Sequence, residues 1–298
     1  MTFRKSRLSI AAAGFAAFAF MTGAAGAAGL EQFAARAEQS AAAVDYAPLD
    51  EYLDVFGVPS GKRLKFKFAA AQDVGTKFLR EYVDKLAATS PATLSGDDQL
   101  AFWLNLRNAL VLAHLSESGG RASMKKDRGV ASAPGAAWTA KSVTVDGVAL
   151  SIDDIERGVI LANWQDPRVL YGLYQGSAGG PPAERKAFQG ATVWADLDAA
   201  AKRYLTSPGG FELTKKAAEI SAIYDWYGAN FFADDAALRA HLSSYITHGA
   251  RINLEKAPSI AYKDFNYRTE NHVERIVDQT TAGQPPRRPQ PQSYPTGS

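Results

Sequence analysis

Glu156 occupies a position where a carboxylate is costly. In SIDDIERGVI (151–160), Ile152, Glu156 and Ile160 fall at i, i+4 and i+8, so the acid lies inside an apolar stripe of a helix. Two chemistries suit such a group. Arg157 on the neighbouring face, or Arg168 further along, can tie it into an ion pair that locks the fold. Alternatively, burial raises its pKa and makes it a general acid or base.

A second polar set lies in AFWLNLRNAL (101–110), where Asn105 and Asn108 interrupt an otherwise apolar helix. A buried amide costs a few kcal/mol unless it is hydrogen-bonded, so the pair either fastens neighbouring backbone or walls a cleft. The loop QGSAGG (175–180) can aim backbone N–H groups at an anion, and it carries Gln175 and Ser177. Its spacing is not G-x-S-x-G, because position 175 is Gln, and no acid–His pair lies close in sequence, so a serine nucleophile is disfavoured. YDWYGANFF (224–232) sets Asp225 and Tyr227 among aromatics that suit a core or a sugar- or peptide-lined groove.

Other chemistries lack a signature. The four histidines, His114, His241, His248 and His272, form no H-E-x-x-H or other close ligand pair, so no metal site is expected. There is no G-x-G-x-x-G and no Walker A sequence, and no cofactor is expected. The absence of cysteine removes disulfides, thiolate nucleophiles and Cys-ligated metals together.

These residues need elements to position them. LEQFAARAEQSAAA reads as a polar Ala-rich helix and DYAPLDEYLDVFG as a shorter one; Gly57, Pro59 and Gly61 break the pattern, and a helix with Phe78, Tyr82, Val83 and Leu86 on one face follows. Ser95 and Asp98 form a capping-box-like pair that opens the most apolar helix of the chain, which must be central. Val143 and Val145, Asp146-Gly147, then Val148 and Leu150 specify a hairpin with a type I′ turn, and Ser151 with Asp154 caps the next helix. RVLYGLY (168–174) fits a buried strand. Helices are expected over TVWADLDAAAKRYL, TKKAAEISAIYDWYGANF and DDAALRAHLSSYI. The fold class is therefore α+β: a mostly helical single domain with a small antiparallel sheet, built from the hairpin near 141–150 and the strand near 168–174.

Composition sets the compartment. MTFRKSRLSIAAAGFAAFAFMTGAAGAAG places Arg4, Lys5 and Arg7 before an apolar run and an A-x-A site at Ala25–Ala27, the pattern of a cleaved secretory leader over 1–27. The run is shorter than the roughly 20 residues that span a bilayer, so no stable membrane span is expected after cleavage. Cleavage removes three basic residues and no acidic one, leaving 30 basic against 31 acidic residues and a charge of −1. Nucleic-acid binding, which rests on clustered Lys and Arg, is not expected. A periplasmic or secreted location follows. The remaining organisation is an N-terminal helical segment (28–74), the main domain (75–278) and a Pro- and Gln-rich disordered tail (279–298).

Five segments, DDQLAFWLNLRNAL, the Trp138-to-Val159 stretch with VDGVALSIDDIERGV, DPRVLYGLYQGSAGGPP, LDAAAKRYL and IYDWYGANF, together resemble the bacterial domain of unknown function 547 family, in that family's order from about residue 75 to 270. The resemblance implies a single α+β domain, often exported, whose activity is not established. It implies importance for Asn105, Asn108, Glu156, Asp166, Arg168, Trp226 and Tyr227. Many members carry His after the I-E pair and Cys in the loop after the strand, where this chain has Arg157, Gln175 and Gly180. The family also has a more distant similarity to papain- and transglutaminase-like folds, but Cys–His catalysis of that kind is impossible here without a thiol.

Two functions compete. One is a non-catalytic binding or scaffold domain of the cell envelope, recognising a small molecule or envelope component through Asn105, Asn108, Arg157, Arg168, Gln175, Ser177, Asp225 and Tyr227. The other is a hydrolase or transferase acting on envelope peptide or glycan, with Glu156 as its acid or base.

Overall fold

Ser95 starts the element around which the rest is arranged. Its hydroxyl accepts the Asp98 N–H at 3.3 Å and donates to the Asp98 carboxylate at 2.8 Å, while its own N–H turns to the Ser40 hydroxyl at 2.8 Å. The Ser40 hydroxyl also donates to Asp98. Ser40 thus closes a cap that Ser95 and Asp98 leave half made. The helix that follows, Gly96–Glu117, is buried on nearly every side, including Phe102, Trp103, Asn105 and Arg107.

The computed structural model describes residues 30–35, 39–40, 43–214 and 217–273. The expected leader and Pro/Gln-rich tail lie outside the described residues. Helices Val74–Ala87 and Val193–Leu205 and the helical turn Asp154–Ile160 pack on the central helix. The helix Ala47–Phe56 and the hairpin Gly57–Ser60/Arg63–Phe66 add Tyr52, Leu64 and Phe66 to the same continuous core. The helix Asp235–Tyr245 forms as its pattern indicates, and His248–Lys256 follows on a Thr247 cap. Among the described residues no helix is long and apolar enough to cross a membrane.

The local signals between 141 and 160 are realised. Lys141–Val145 pairs antiparallel with Val148–Ser151 across Asp146 (φ 45°) and Gly147 (φ 78°), the two positive φ values a type I′ turn requires. Ser151 and Asp154 then complete a reciprocal capping box: Ser151 Oγ accepts the Asp154 N–H at 3.0 Å and the Asp154 carboxylate accepts the Ser151 N–H at 2.7 Å. The helix they open is wound as a π-helix over Asp154–Ile160, with the Leu161 N–H bonded to the Glu156 carbonyl, five residues back.

The α+β class with small sheets holds, while three local expectations change. Residues 168–174 are a helical turn, Val169–Gly172, followed by extended chain. Asp166 starts that turn by accepting the Arg168 N–H on its carboxylate (2.9 Å) and the Val169 N–H on its carbonyl (3.1 Å). The segment is as buried as a strand would be, but side chains of the central helix take the place of a neighbouring ladder. The described part of 30–43 forms only the 3₁₀ turn Glu31–Phe33, with Phe33 edge-on to Trp103 at 5.0 Å. Instead of one helix over 214–231, the described residues form a strand, Ala218–Ile220, then the short helix Ile223–Tyr227. That strand pairs antiparallel with Phe211–Leu213 and parallel with Ile260–Tyr262, a partner 42 positions further along that local periodicity does not reveal.

Candidate functional site

The central helix carries Arg107 to the middle of the core, where it meets Glu156. Arg107 Nη2 and Nε donate to Glu156 Oε2 at 2.5 and 3.2 Å, and neither side chain is more than 1% exposed. Arg107 Nη1 also donates to Asn108 Oδ1 at 3.0 Å and to the Tyr174 carbonyl. The other carboxylate oxygen, Oε1, accepts the Tyr227 hydroxyl and lies 3.6 Å from Arg128 Nη2. Arg128 is equally buried. It donates to Tyr227 Oη (2.7 Å), Gln175 Oε1 (2.8 Å) and its neighbour's carbonyl, Gly129 (3.1 Å), and its guanidinium lies 4.1 Å from the centroid of the Trp226 ring. Glu156 is therefore held between two guanidiniums and a phenol.

The electrostatics follow from that enclosure. Burial pushes the Glu156 carboxyl up, but Arg107, Arg128 and the Tyr227 hydroxyl outweigh it and hold the group below the usual carboxylate range. Burial pushes the Tyr227 phenol well above its ordinary value, so it stays protonated and donates. Of the two readings of Glu156, the geometry is that of the ion pair and not of the raised pKa: desolvation acts as anticipated, and two cations that local sequence did not reveal overcome it.

Neither cation proposed for Glu156 reaches it. Arg157 pairs with Asp153, one turn back on its own helix. Arg168 pairs with Asp166 (2.7 Å) and Asp198 (3.1 Å) and stacks 4.7 Å over Trp194. Asp225 is exposed, and among the described residues no hydrogen bond or ion pair joins it to the cluster. Of the expected site residues, Asn108, Glu156, Gln175 and Tyr227 are brought together.

The two asparagines fasten backbone. Asn105 donates from Nδ2 to the Phe188 carbonyl (2.8 Å) and accepts the Phe188 N–H on Oδ1 (2.9 Å), acting as one rung of a ladder. Asn108 donates to the Gly172 carbonyl (2.8 Å) and accepts the Tyr174 N–H (3.2 Å). Ser177 is fully buried, and its hydroxyl donates to the Gln175 carbonyl at 3.2 Å. Between them Gly176 adopts φ 69°, where a Cβ would lie 2.9 Å from Met124 and 3.2 Å from Leu115, so the loop needs glycine at that point for both conformation and space.

Arg107 and Arg128 were absent from the sequence-derived set. Arg107 did carry a signal, as a cation inside a helix apolar on every side. Arg128, in KKDRGV, sits among other charged residues and carried none.

Residues 91–205 match the family described as Protein of unknown function, DUF547. The matched stretch begins at the turn before the central helix and ends with the helix Val193–Leu205. It contains Asn105, Arg107, Asn108, Arg128, Glu156 and Gln175, whereas Trp226 and Tyr227 close the cluster from outside it. The match is shorter than the 75–270 span over which the motifs resemble the family. No curated protein and no solved structure matches the chain.

Chemically, the cluster is suited to holding. Both oxygens of Glu156 are occupied by donors, and among the described residues no three His, Asp or Glu side chains gather as a metal site would require. Its groups join the central helix, the π-turn, the 174–177 loop and the 223–227 helix at one point.

Proposed function

We propose that this chain is an exported, non-catalytic binding or scaffold domain of the cell envelope. The observation that carries the reading is the enclosure of Glu156, the acid or base singled out for the catalytic reading: it is 1% exposed, and both its oxygens are taken up by Arg107, Arg128 and Tyr227. A general acid or base must have a reactant within hydrogen-bond reach, and both oxygens of this carboxylate face protein donors, which leaves it no free face. The hydrolase or transferase reading, which needs that access, loses its principal residue. The leader pattern at the N-terminus, with Arg4, Lys5 and Arg7 before the apolar run, supports delivery to the periplasm or beyond.

The test is native mass spectrometry of the protein recovered from the envelope fraction, set against its denatured mass. A native mass exceeding the denatured one by a defined adduct or partner supports the binding reading. A bare chain that turns over envelope peptide or glycan, with turnover abolished in Glu156→Gln at unchanged stability, overturns it. N-terminal sequencing of the same sample reads whether the chain begins near residue 28.

A further inference from the structure

A second polar site lies on the surface, away from the Arg107–Glu156 cluster. The turn of the hairpin (Gly61–Leu64), the loop Ala183–Phe188 and the outer face of the helix Val193–Leu205 enclose a cavity of about 220 Å³. Five cations line it, Lys62, Arg63, Arg185, Lys186 and Arg203, against two acids, Glu184 and Asp196. Part of that charge is neutralised nearby: Arg63 pairs with Glu270, Lys186 with Asp54 at 2.8 Å, and Arg203 with Glu184. Lys62 instead donates to the carbonyl and hydroxyl of Thr206, at 2.7 and 2.8 Å. Among the described residues Arg185 forms no ion pair.

Charge and size together select a ligand class. The cations come from three separate chain segments and surround one compact space. A guanidinium fork suits a planar or tetrahedral oxyanion, which several donors can share. The volume lies below the roughly 300–1,000 Å³ of pockets that take drug-sized ligands. Leu64, Ala187 and Phe188 supply an apolar wall on one side.

Glu184 makes the site responsive. Its side chain is 20% exposed and Arg203 is 30% exposed, so their pairing is only partly screened by water. We propose that this cavity binds a phosphate group, free or esterified to a small solute, through Lys62, Arg185 and Arg203, and that Glu184 competes with it for Arg203. A seated oxyanion becomes a like-charge neighbour of Glu184, and proton uptake by that carboxylate relieves the repulsion, so binding and protonation are coupled. Arg203 and Asp196 from the helix and Arg185 from its own loop act on Glu184, and Lys62 and Arg63 from the hairpin turn and Lys186 from the loop line the same cavity. Burial pushes the Glu184 carboxyl up to about 7 against the pull of Arg203, with Asp196 adding to the rise, so this coupling operates near neutral pH.

The inference deepens the binding-domain reading by giving it a ligand class, and rests on it. Its test is calorimetric titration of the purified protein with sodium sulfate at fixed ionic strength, near pH 6 and near pH 8. Sulfate remains a dianion across that interval, whereas a phosphomonoester titrates near pH 6, so any pH dependence belongs to the protein. Sulfate is expected to bind about tenfold more weakly near pH 8 than near pH 6. Glu184→Gln should bind equally at both, with the stronger affinity. The double variant Lys62→Glu/Arg185→Glu, changed at two exposed positions, should weaken binding at least about tenfold while unfolding at the wild-type temperature.

Inorganic phosphate and glycerol 3-phosphate then separate the sources. Tighter binding of the ester assigns a phosphorylated solute, and equal binding assigns free phosphate. Absence of a saturable sulfate heat, or an affinity unmoved by the charge reversal, overturns the site; a pH-independent wild type overturns the role of Glu184. An adduct in the native mass spectrum that persists in the double variant would still uphold the binding-domain reading, so the two fail separately.

Discussion

Arg107 places two nitrogens on one oxygen of Glu156, leaving the other oxygen for Tyr227 and Arg128. The division has a structural consequence. One oxygen is bound by the central helix and the other by the 128–130 and 223–227 segments, so a single carboxylate joins three parts of the chain. Two cations against one anion leave an excess positive charge in the core, which the face of Trp226, 4.1 Å from Arg128, is placed to stabilise.

Removing the charge of Glu156 leaves both guanidiniums buried without a counter-ion. Glu156→Gln is therefore expected to lose roughly 3–5 kcal/mol of folding stability, read as a fall in the urea midpoint. Glu156→Gln with Arg107→Met should lose less than the two single changes added together, because each single change strands a charge that the other removes. A wild-type midpoint in Glu156→Gln would contradict the structural role.

Asn105 secures Phe188, and through it the loop that borders the basic cavity. Asn105→Ala orphans one buried donor and one buried acceptor, at about 1–3 kcal/mol each as an upper range. Native-state hydrogen exchange should locate the effect: the Phe188 amide, protected at present by Asn105 Oδ1 at 2.9 Å, is expected to exchange faster than amides of the central helix.

His241 gives the fold an acid sensitivity of definite sign. Its Nε2 meets the Tyr171 hydroxyl at 2.7 Å, and burial lowers its pKa from 6.5 to about 4, against the pull of Asp166. Because the folded value is depressed, the unfolded chain takes up a proton first as pH falls. The contribution is complete above about pH 6.5 and is lost progressively towards pH 4, by about 3 kcal/mol. Glu184 works in the other direction: its folded pKa is raised, so its contribution is present at low pH and is lost as pH rises through about 7. Urea midpoints near pH 7 and pH 5 for the wild type and His241→Phe separate the two, with the variant losing less on acidification.

At the hairpin turn, Gly147 has φ 78° and open space around the Cβ position, so substitution meets a conformational cost without a clash. Gly147→Ala should destabilise by roughly 1 kcal/mol, measured as a modest fall in melting temperature. A change several times larger would mean that the turn makes contacts beyond its backbone.

The local elements were legible because their causes lie within a few residues. Ser95 with Asp98, Asp146 with Gly147, and Ser151 with Asp154 act across one to three positions, and the structure realises each of them. The burial of Glu156 was legible for the same reason, since Ile152 and Ile160 lie one turn to either side.

The partners of Glu156 were not. Arg157 and Arg168 were the cations close in sequence, but Arg157 is taken by Asp153 and Arg168 by Asp166 and Asp198. The cations that pair with Glu156 come from 49 and 28 positions earlier in the chain. The same limit explains residues 168–174: an apolar run shows that a segment is buried, and burial alone does not say what satisfies its backbone. Here Asn108 and Arg107 bond Gly172 and Tyr174 where a neighbouring strand would have done so. Sequence by itself therefore determined which stretches turn, cap and become buried, since those follow from nearest-neighbour sterics and the period of apolar residues. Only the tertiary structure decided which charges meet, because the free energy of a buried ion depends on groups that the folded chain brings within a few ångströms from anywhere along its length.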